Sequence, residues 1–310
     1  MAGSGQPTHR CQRSPGFSMI ELMVALTLGM LVLVASTSFY LLTRSTYGSI
    51  NDSANIEERG QFAIGVVSRM LRQIAYTPPA SDGGSMQISS QMLMGLDNCS
   101  TPSDSETLGC DAGAAVNASD VLLTRFFGVG TAADPTVSDG SMVDCSGQAV
   151  AAPSNIDNAA SQRGLSILYV QNGADGLPYL MCKYRRRAAG KETSTFVAQQ
   201  LVPGVENLQV LFGISTDDDE VADKFVPASQ VGAAEWARVF ALKVALVVRG
   251  DNTSAASSGQ PAIQLFGPMY NGADGTFTPT QNPQSARRLF TATVQVRNYL
   301  SCMQGDPSCL

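Results

Sequence analysis

Histidine is nearly missing: the only one in 310 residues is His9, close to the start. Beyond that position Ser-His or Cys-His nucleophilic chemistry and imidazole-ligated metals are excluded. Seven cysteines occur but no C-x-x-C pair, which removes the zinc-ribbon and thioredoxin-like readings. Charge is scarce at 15% of residues, with a formal net value of −6. A nucleic-acid-binding surface would be basic, so no nucleic-acid partner is expected. Proline is absent from Phe17 to Tyr76, and the first breaker is Pro78-Pro79. Nothing in that stretch forbids one continuous helix.

What is present is concentrated near the N-terminus. Gly16-Phe17-Ser18-Met19-Ile20-Glu21 leads into Leu22–Leu42, a run free of Asp, Glu, Lys and Arg. That run is long enough to cross a hydrocarbon core as a helix. A carboxylate at its start is costly to bury and calls for a partner or a function. The residues before it are polar and carry Arg10 and Arg13 but no acid, a bias that holds them on the cytoplasmic side. Two bland readings compete. A secretory signal peptide has a shorter apolar core and a small-residue cleavage site, for which Val34-Ala35-Ser36 is a poor candidate. A simple single-span anchor leaves Gly16-Phe17 and Glu21 without a purpose.

The string GFSMIELMVALTLGMLVLVA resembles the N-terminus of type IV prepilins. The resemblance implies cleavage by a dedicated peptidase between Gly16 and Phe17. It also implies methylation of the new Phe17 amine and a role for Phe17 and Glu21 in assembly. On that reading residues 1–16 are a leader, residues 17–76 a long helix that spans the membrane over about 17–42, and residues 77–310 a periplasmic head.

Along the helix, Phe62, Val66, Met70 and Ile74 recur at i+4 with Val67 and Leu71 beside them, which predicts an amphipathic half lying on a core. Arg59, Ser68, Arg69 and Arg72 fill the opposite face. The alternative is two helices broken near Gly48. Residues 77–164 are rich in Gly, Ser, Asp, Ala and Pro, with strand-like runs at Met86–Leu96 and Val121–Phe127. Further strands are expected at Leu165–Val170, Tyr179–Tyr184, Phe196–Leu201, Leu208–Ile214, Val239–Val248 and Leu289–Val296. Asn172–Gly176 suits a hairpin turn between the first two of these. Consecutive strands without intervening helices imply an antiparallel sheet, hence an α+β fold, with Val239–Val248 central and one face against the helix.

Cys11 falls in the leader, leaving Cys99, Cys110, Cys145, Cys182, Cys302 and Cys309. An even number in an exported domain reads as disulfides, though sequence leaves the connectivity open. Pairing between sequence neighbours suits long loops that each need fastening. It predicts Cys99–Cys110, Cys145–Cys182 and Cys302–Cys309.

Asp217, Asp219 and Asp223 are weak candidates for a hard cation, since the spacing and central glycine of a calcium loop are missing and a solvated acidic turn is the simpler reading. Tyr184-Arg185-Arg186-Arg187 with Lys191 is a short basic patch, facing lipid headgroups or a partner, or simply a solvated strand end. Trp236, Tyr179, Phe196 and Phe212 are expected in the core.

A second resemblance lies further along. Leu201–Val210, Val239–Arg249, Arg288-Leu289-Phe290 and Val296-Arg297-Asn298 resemble the PilW group of minor pilins. It covers residues 200–298 well and 80–164 poorly. It implies a pilin-like fold and a non-enzymatic subunit that helps initiate or cap a type IV pilus, without cofactor. Its partners would be other minor and major pilins, the prepilin peptidase, the inner-membrane assembly complex, and lipid before assembly. The alternatives are a minor pseudopilin of type II secretion and a membrane-tethered adhesin or enzyme.

Overall fold

The computed structural model describes residues 16–78, 92–105, 107–112, 115–153, 162–188, 191–217, 219–253 and 261–298. It divides into two compact units, Met1–Ile50 and Asn51–Leu310. The boundary falls inside a single helix, α1 (Met19–Gln73), which passes Gly48 and Gly60 without a break. Continuity follows from the absence of proline and from an apolar or weakly polar side chain at almost every early position.

The strands are β1 (Leu93–Leu96), β2 (Thr101–Pro102), β3 (Cys110–Ala112), β4 (Val121–Phe126), β5 (Gly164–Asn172), β6 (Pro178–Ala188), β7 (Lys191–Pro203), β8 (Val205–Ile214), β9 (Lys224–Val226), β10 (Val239–Thr253), β11 (Ile263–Gln264), β12 (Thr276–Phe277) and β13 (Ser285–Gln295). The expected single sheet is in fact divided in two. One sheet runs β1-β4-β5-β6-β7 and the other β13-β10-β8-β9, all pairings antiparallel. The two small pairs are β2-β3 and β11-β12.

The division occurs at one residue. Gly204, between β7 and β8, has φ +80°. Its N–H donates to Pro178 O in the first sheet at 2.8 Å, and its carbonyl accepts from Arg249 N in the second at 2.8 Å. A Cβ there would lie 2.7 Å from Arg249 O. Only glycine supplies both the left-handed turn and the close approach. A second joint is the Val116–Ala118 turn, which leads straight into β4. Asn117 donates to Glu206 O, Asn207 and Gln209 donate to the carbonyls of Asn117 and Ala118, and Asp120 exchanges bonds with Leu208 and Val210.

The main core lies between α1 and the inner faces of both sheets: Ile56, Ala63, Val67, Met70 and Leu71 with Leu168, Leu180, Val210, Phe212, Val244, Leu246 and Phe290. The outer face of the first sheet is roofed too. Val121, Leu123, Ile167 and Tyr169 pack there with Cys99 and Leu108, so β4 is buried on both faces. Over the second sheet, Leu265 and Phe277 of the β11-β12 hairpin cover Ala245 and Val247.

The buried stripe of α1 differs from the i+4 line read in the sequence. The buried positions are Ile56, Gly60, Ala63, Val67, Met70, Leu71 and Ile74, whereas Phe62 is 57% exposed and Val66 half-buried. A strict four-residue step overshoots a helical turn by roughly 40°. The line Phe62–Val66–Met70–Ile74 therefore rotates into the core only at its end, and alternating steps of three and four keep the true stripe facing inward. Of the four aromatics expected inside, Phe212 is buried and Trp236 meets it edge-on at 4.9 Å, half-buried. Tyr179 and Phe196 are half-buried beside the outer cluster instead.

Candidate functional site

At the N-terminal end, Phe17 is 89% exposed and α1 begins two residues later. Ser18 caps it. The Glu21 N–H donates to Ser18 Oγ at 3.3 Å, and the Ser18 N–H donates to Glu21 Oε2 at 3.1 Å. This reciprocal pair is a capping box, written in the sequence as S-x-x-E ahead of an apolar run. It satisfies two backbone donors that a helix start leaves open, and it ties the Glu21 carboxylate to the level of Ser18. Every residue from Gly16 to Ile50 except Gly48 is exposed, including Ile20, Leu22, Leu26, Leu31, Leu33 and Phe39. By length and composition α1 is long and apolar enough to cross a membrane. A helix apolar all round needs lipid or other protein on every side.

Within the second unit, the early turns of its helical segment are held by polar contacts rather than by apolar packing alone. Asp52, buried on α1, accepts the N–H of Asp251 at 2.8 Å. A Cβ on Gly250 would lie 2.0 Å from the Asp52 carboxylate, so glycine there makes room for the acid. Arg59 forms a two-pronged pair with Asp251 at 2.6 and 2.7 Å, which holds the Asp251 carboxyl below its usual range. Glu57 pairs with Arg288 of β13. Phe290 lies where a side chain on Gly60 would otherwise project. Behind these contacts Glu206 is buried between two guanidinium groups, Arg249 at 2.9 Å and Arg287 at 2.6 Å. Arg287 spends its remaining donors on the carbonyls of Gln281, Asn282 and Ser285. At the other end of α1, Asn298 donates to Ile74 O at 2.7 Å and closes the helix.

Among the described residues the acidic loop does not gather its carboxylates. Asp219 accepts the Val221 N–H and Asp223 accepts the N–H and hydroxyl of Thr216, so both fold their own loop, and Asp217 is exposed. Among the described residues no three His, Cys, Asp or Glu converge as a cation site. In the basic patch, Glu192 pairs with both Arg185 and Arg187, Arg185 lies over the Phe196 ring, and Arg187 donates to the carbonyls of Gln162 and Arg163. Arg186 is exposed. Disulfides join Cys99 to Cys110 and Cys145 to Cys182. The first fastens the roof over the outer cluster, and Lys183 of β6 reaches the same loop at Pro102 O and Asp104. Cys302 and Cys309 lie outside the described residues.

Against known families, residues 11–37 match the prokaryotic N-terminal methylation motif, and residues 167–298 match type IV pilus-assembly protein W. The chain belongs to the PilW family of type IV pilins. It is a minor pilin of type IV pilus assembly, anchored through its apolar N-terminal helix. A type IV-like pilin from Thermus thermophilus is similar in structure, at a TM-score of 0.40 and 13% identity over 79% of this chain and 97% of that one. That likeness is distant, and the assignment rests on the two sequence matches. No curated protein matches the sequence.

The PilW match spans β5 to β13 and so contains the Glu206–Arg249–Arg287 triad, Gly204 and Asn298. Sequence reading missed the triad as an interaction, because its members are 43 and 81 residues apart and no local pattern links them. The capping box was legible as S-x-x-E.

Proposed function

We propose that this PilW-family pilin is cut between Gly16 and Phe17, methylated on the new Phe17 amine, and built into the pilus through that amine and Glu21. The observation that carries the reading is Glu21, the lone acid at the head of the exposed apolar segment of α1, whose carboxylate among the described residues is held by the Ser18 N–H of its own chain. An unpaired carboxylate at mid-membrane costs about 2.5–3.5 kcal/mol, less near the interface. The capping bond offsets part of that, and the amine of a neighbouring subunit's Phe17 offsets more. Such a pair forms only when two helices are correctly staggered, so it sets the axial register of the entering subunit.

On this reading the chain waits in the inner membrane with its second unit in the periplasm. The assembly complex then extracts it, and the apolar surface of residues 17–42 passes from lipid to a bundle of like helices. It stands at the initiating or tip position, beside other minor and major pilins, and is a substrate of processing enzymes rather than a catalyst. Glu21→Ala is the test. The variant should insert and be cleaved, with mass spectrometry giving an N-terminus at Phe17, yet lose co-purification with other pilins and support no pili. Normal piliation by that variant at equal protein level would sink the pairing, and an N-terminus near Ala35 would sink the processing.

A further inference from the structure

The two principal sheets have four outer edges, and three are guarded. β1 is four residues long and β9 three, too short to template another strand. β13 carries Arg287 and Arg288, with Arg288 tied to Glu57 and Phe290 set against Gly60 of α1. β7 is different. It runs for 13 residues at the edge of its sheet, pairs only with β6 among the described residues, and its register is unbroken from Phe196 to Gln200. From Thr193 to Val202 it contains no charge and no proline. Long uncharged edges are what soluble proteins avoid unless something covers them, because a row of open N–H and C=O groups recruits another strand.

The two ends of β7 say what the cover must be like. At the start, the β6–β7 hairpin carries Arg185, Arg186, Arg187 and Lys191 against a single acid, Glu192, on a chain whose net charge is −6. Glu192 is already engaged by Arg185 and Arg187, while Arg186 is exposed and its guanidinium has no partner among the described residues. At the other end, Gln199 and Leu201 border a cavity of about 520 Å³ lined also by Phe62, Val66, Met70 and Val143. This cavity is where the exposed apolar side of the α1 segment has gone. A second copy of the chain fits poorly, since its own β7 offers no free acid to the hairpin.

We propose that β7 is an assembly edge: an extended segment of another pilin subunit adds to it as a sixth strand, acidic where it meets the basic hairpin and apolar where it reaches Leu201, Phe62 and Val66. Main-chain bonds give such an interface its strength, and the end pockets give it specificity. This rests on the pilin reading above but not on the Phe17–Glu21 pair.

The test uses the full tagged chain co-expressed with the other pilin subunits of its host, with hydrogen exchange measured on the complex and on the chain alone. Backbone amides within residues 193–202 should exchange at least tenfold more slowly in the complex. Ser194→Lys with Ala198→Lys, both at exposed positions, should lower co-purification at least tenfold at an unchanged melting temperature. Should that double variant melt early, Arg186→Glu serves in its place: it leaves the strand intact and should weaken capture several-fold, less so in high salt. Co-purification with β7 amides exchanging as fast as before sinks the strand addition and leaves the pilin reading standing. A chain that dimerises alone with those amides already slow assigns the edge to a second copy and overturns the proposal. Failure of any pilin to co-purify with the parent chain brings down both readings together.

Discussion

One helix serves two different solvents. From Leu22 to Leu42 its side chains are mostly apolar, on every side, and exposed; from Asn51 to Gln73 they are mixed, and one stripe of small and medium residues is buried. Gly60 and Ala63 sit where Phe290 and the second sheet come closest, while the first unit has Leu, Met and Val at nearly every turn. The local backbone is the same in both halves. Helix formation therefore does not separate them; what does is which surroundings each half is built to fill. The second unit supplies its own surroundings, and the first depends on lipid or on other subunits.

The carboxylates make the same contrast, and the largest effect tests it. Glu206 is buried with two arginines of its own chain, so its charge is met internally. Glu21 has only a backbone N–H from its own chain among the described residues. Glu206→Ala should cost about 3–5 kcal/mol of second-unit stability, because two guanidinium groups lose their shared anion in the interior. Glu21→Ala should cost that unit nothing. Denaturant unfolding of the detergent-solubilised chain, followed by Trp236 fluorescence, reads both. Equal losses would mean that the units are not energetically separate.

A matched pair of leucines in α1 sharpens the comparison with a smaller expected effect. Leu71 is 1% exposed and Leu31 is 67% exposed. Leu71→Ala should destabilise the second unit by about 2–5 kcal/mol, the usual cost of a core truncation that leaves a cavity. Leu31→Ala should change the same unfolding curve by less than about 0.5 kcal/mol. A large effect of Leu31→Ala on that curve would break the division at Ile50.

How far the sequence disclosed this molecule depends on the range over which each signal acts. The long helix, the α+β class, the hairpin at Asn172–Gly176 and the strands of the second half were legible because they are local patterns of period or turn chemistry. The split into two sheets was not, because it turns on the left-handed geometry of Gly204, one glycine among 29. The inward face of α1 was misplaced by one position, since Phe62 reads as the strongest apolar residue of its turn and only the fold reveals that Ala63 faces the core. Neighbour pairing of cysteines matched the two bridges in the described residues because each fastens a loop that closes near its origin. The anchor end was the clearest part of the site. The polar contacts around Asp52 and Glu206 were invisible, since each joins residues far apart in the chain.

The smallest expected effect concerns a buried acid that lacks a cationic partner of the kind Glu206 has. Asp120 is 3% exposed at the joint between the sheets, where its Oδ2 accepts the Val210 N–H at 2.9 Å. Burial pushes its carboxyl well above the ordinary 3.8, the Val210 N–H offsets that only in part, and the nearby negative charge of Asp97 adds to the rise. For an acid raised in the folded state, the fold binds the proton more tightly than the unfolded chain does. Below about pH 4 both states are protonated and nothing is lost; as pH climbs through the folded value, stability falls. Asp120→Asn keeps the acceptor and cannot ionise, so the effect at any one pH is modest. The gap between the two proteins should nonetheless widen in the variant's favour as pH rises from 4 toward 8. Carboxylates held low elsewhere, such as Asp251 beside Arg59, shift both curves alike and cancel in the difference. Parallel stability curves for the two proteins across that range would show that Asp120 ionises in the fold as freely as it does in water.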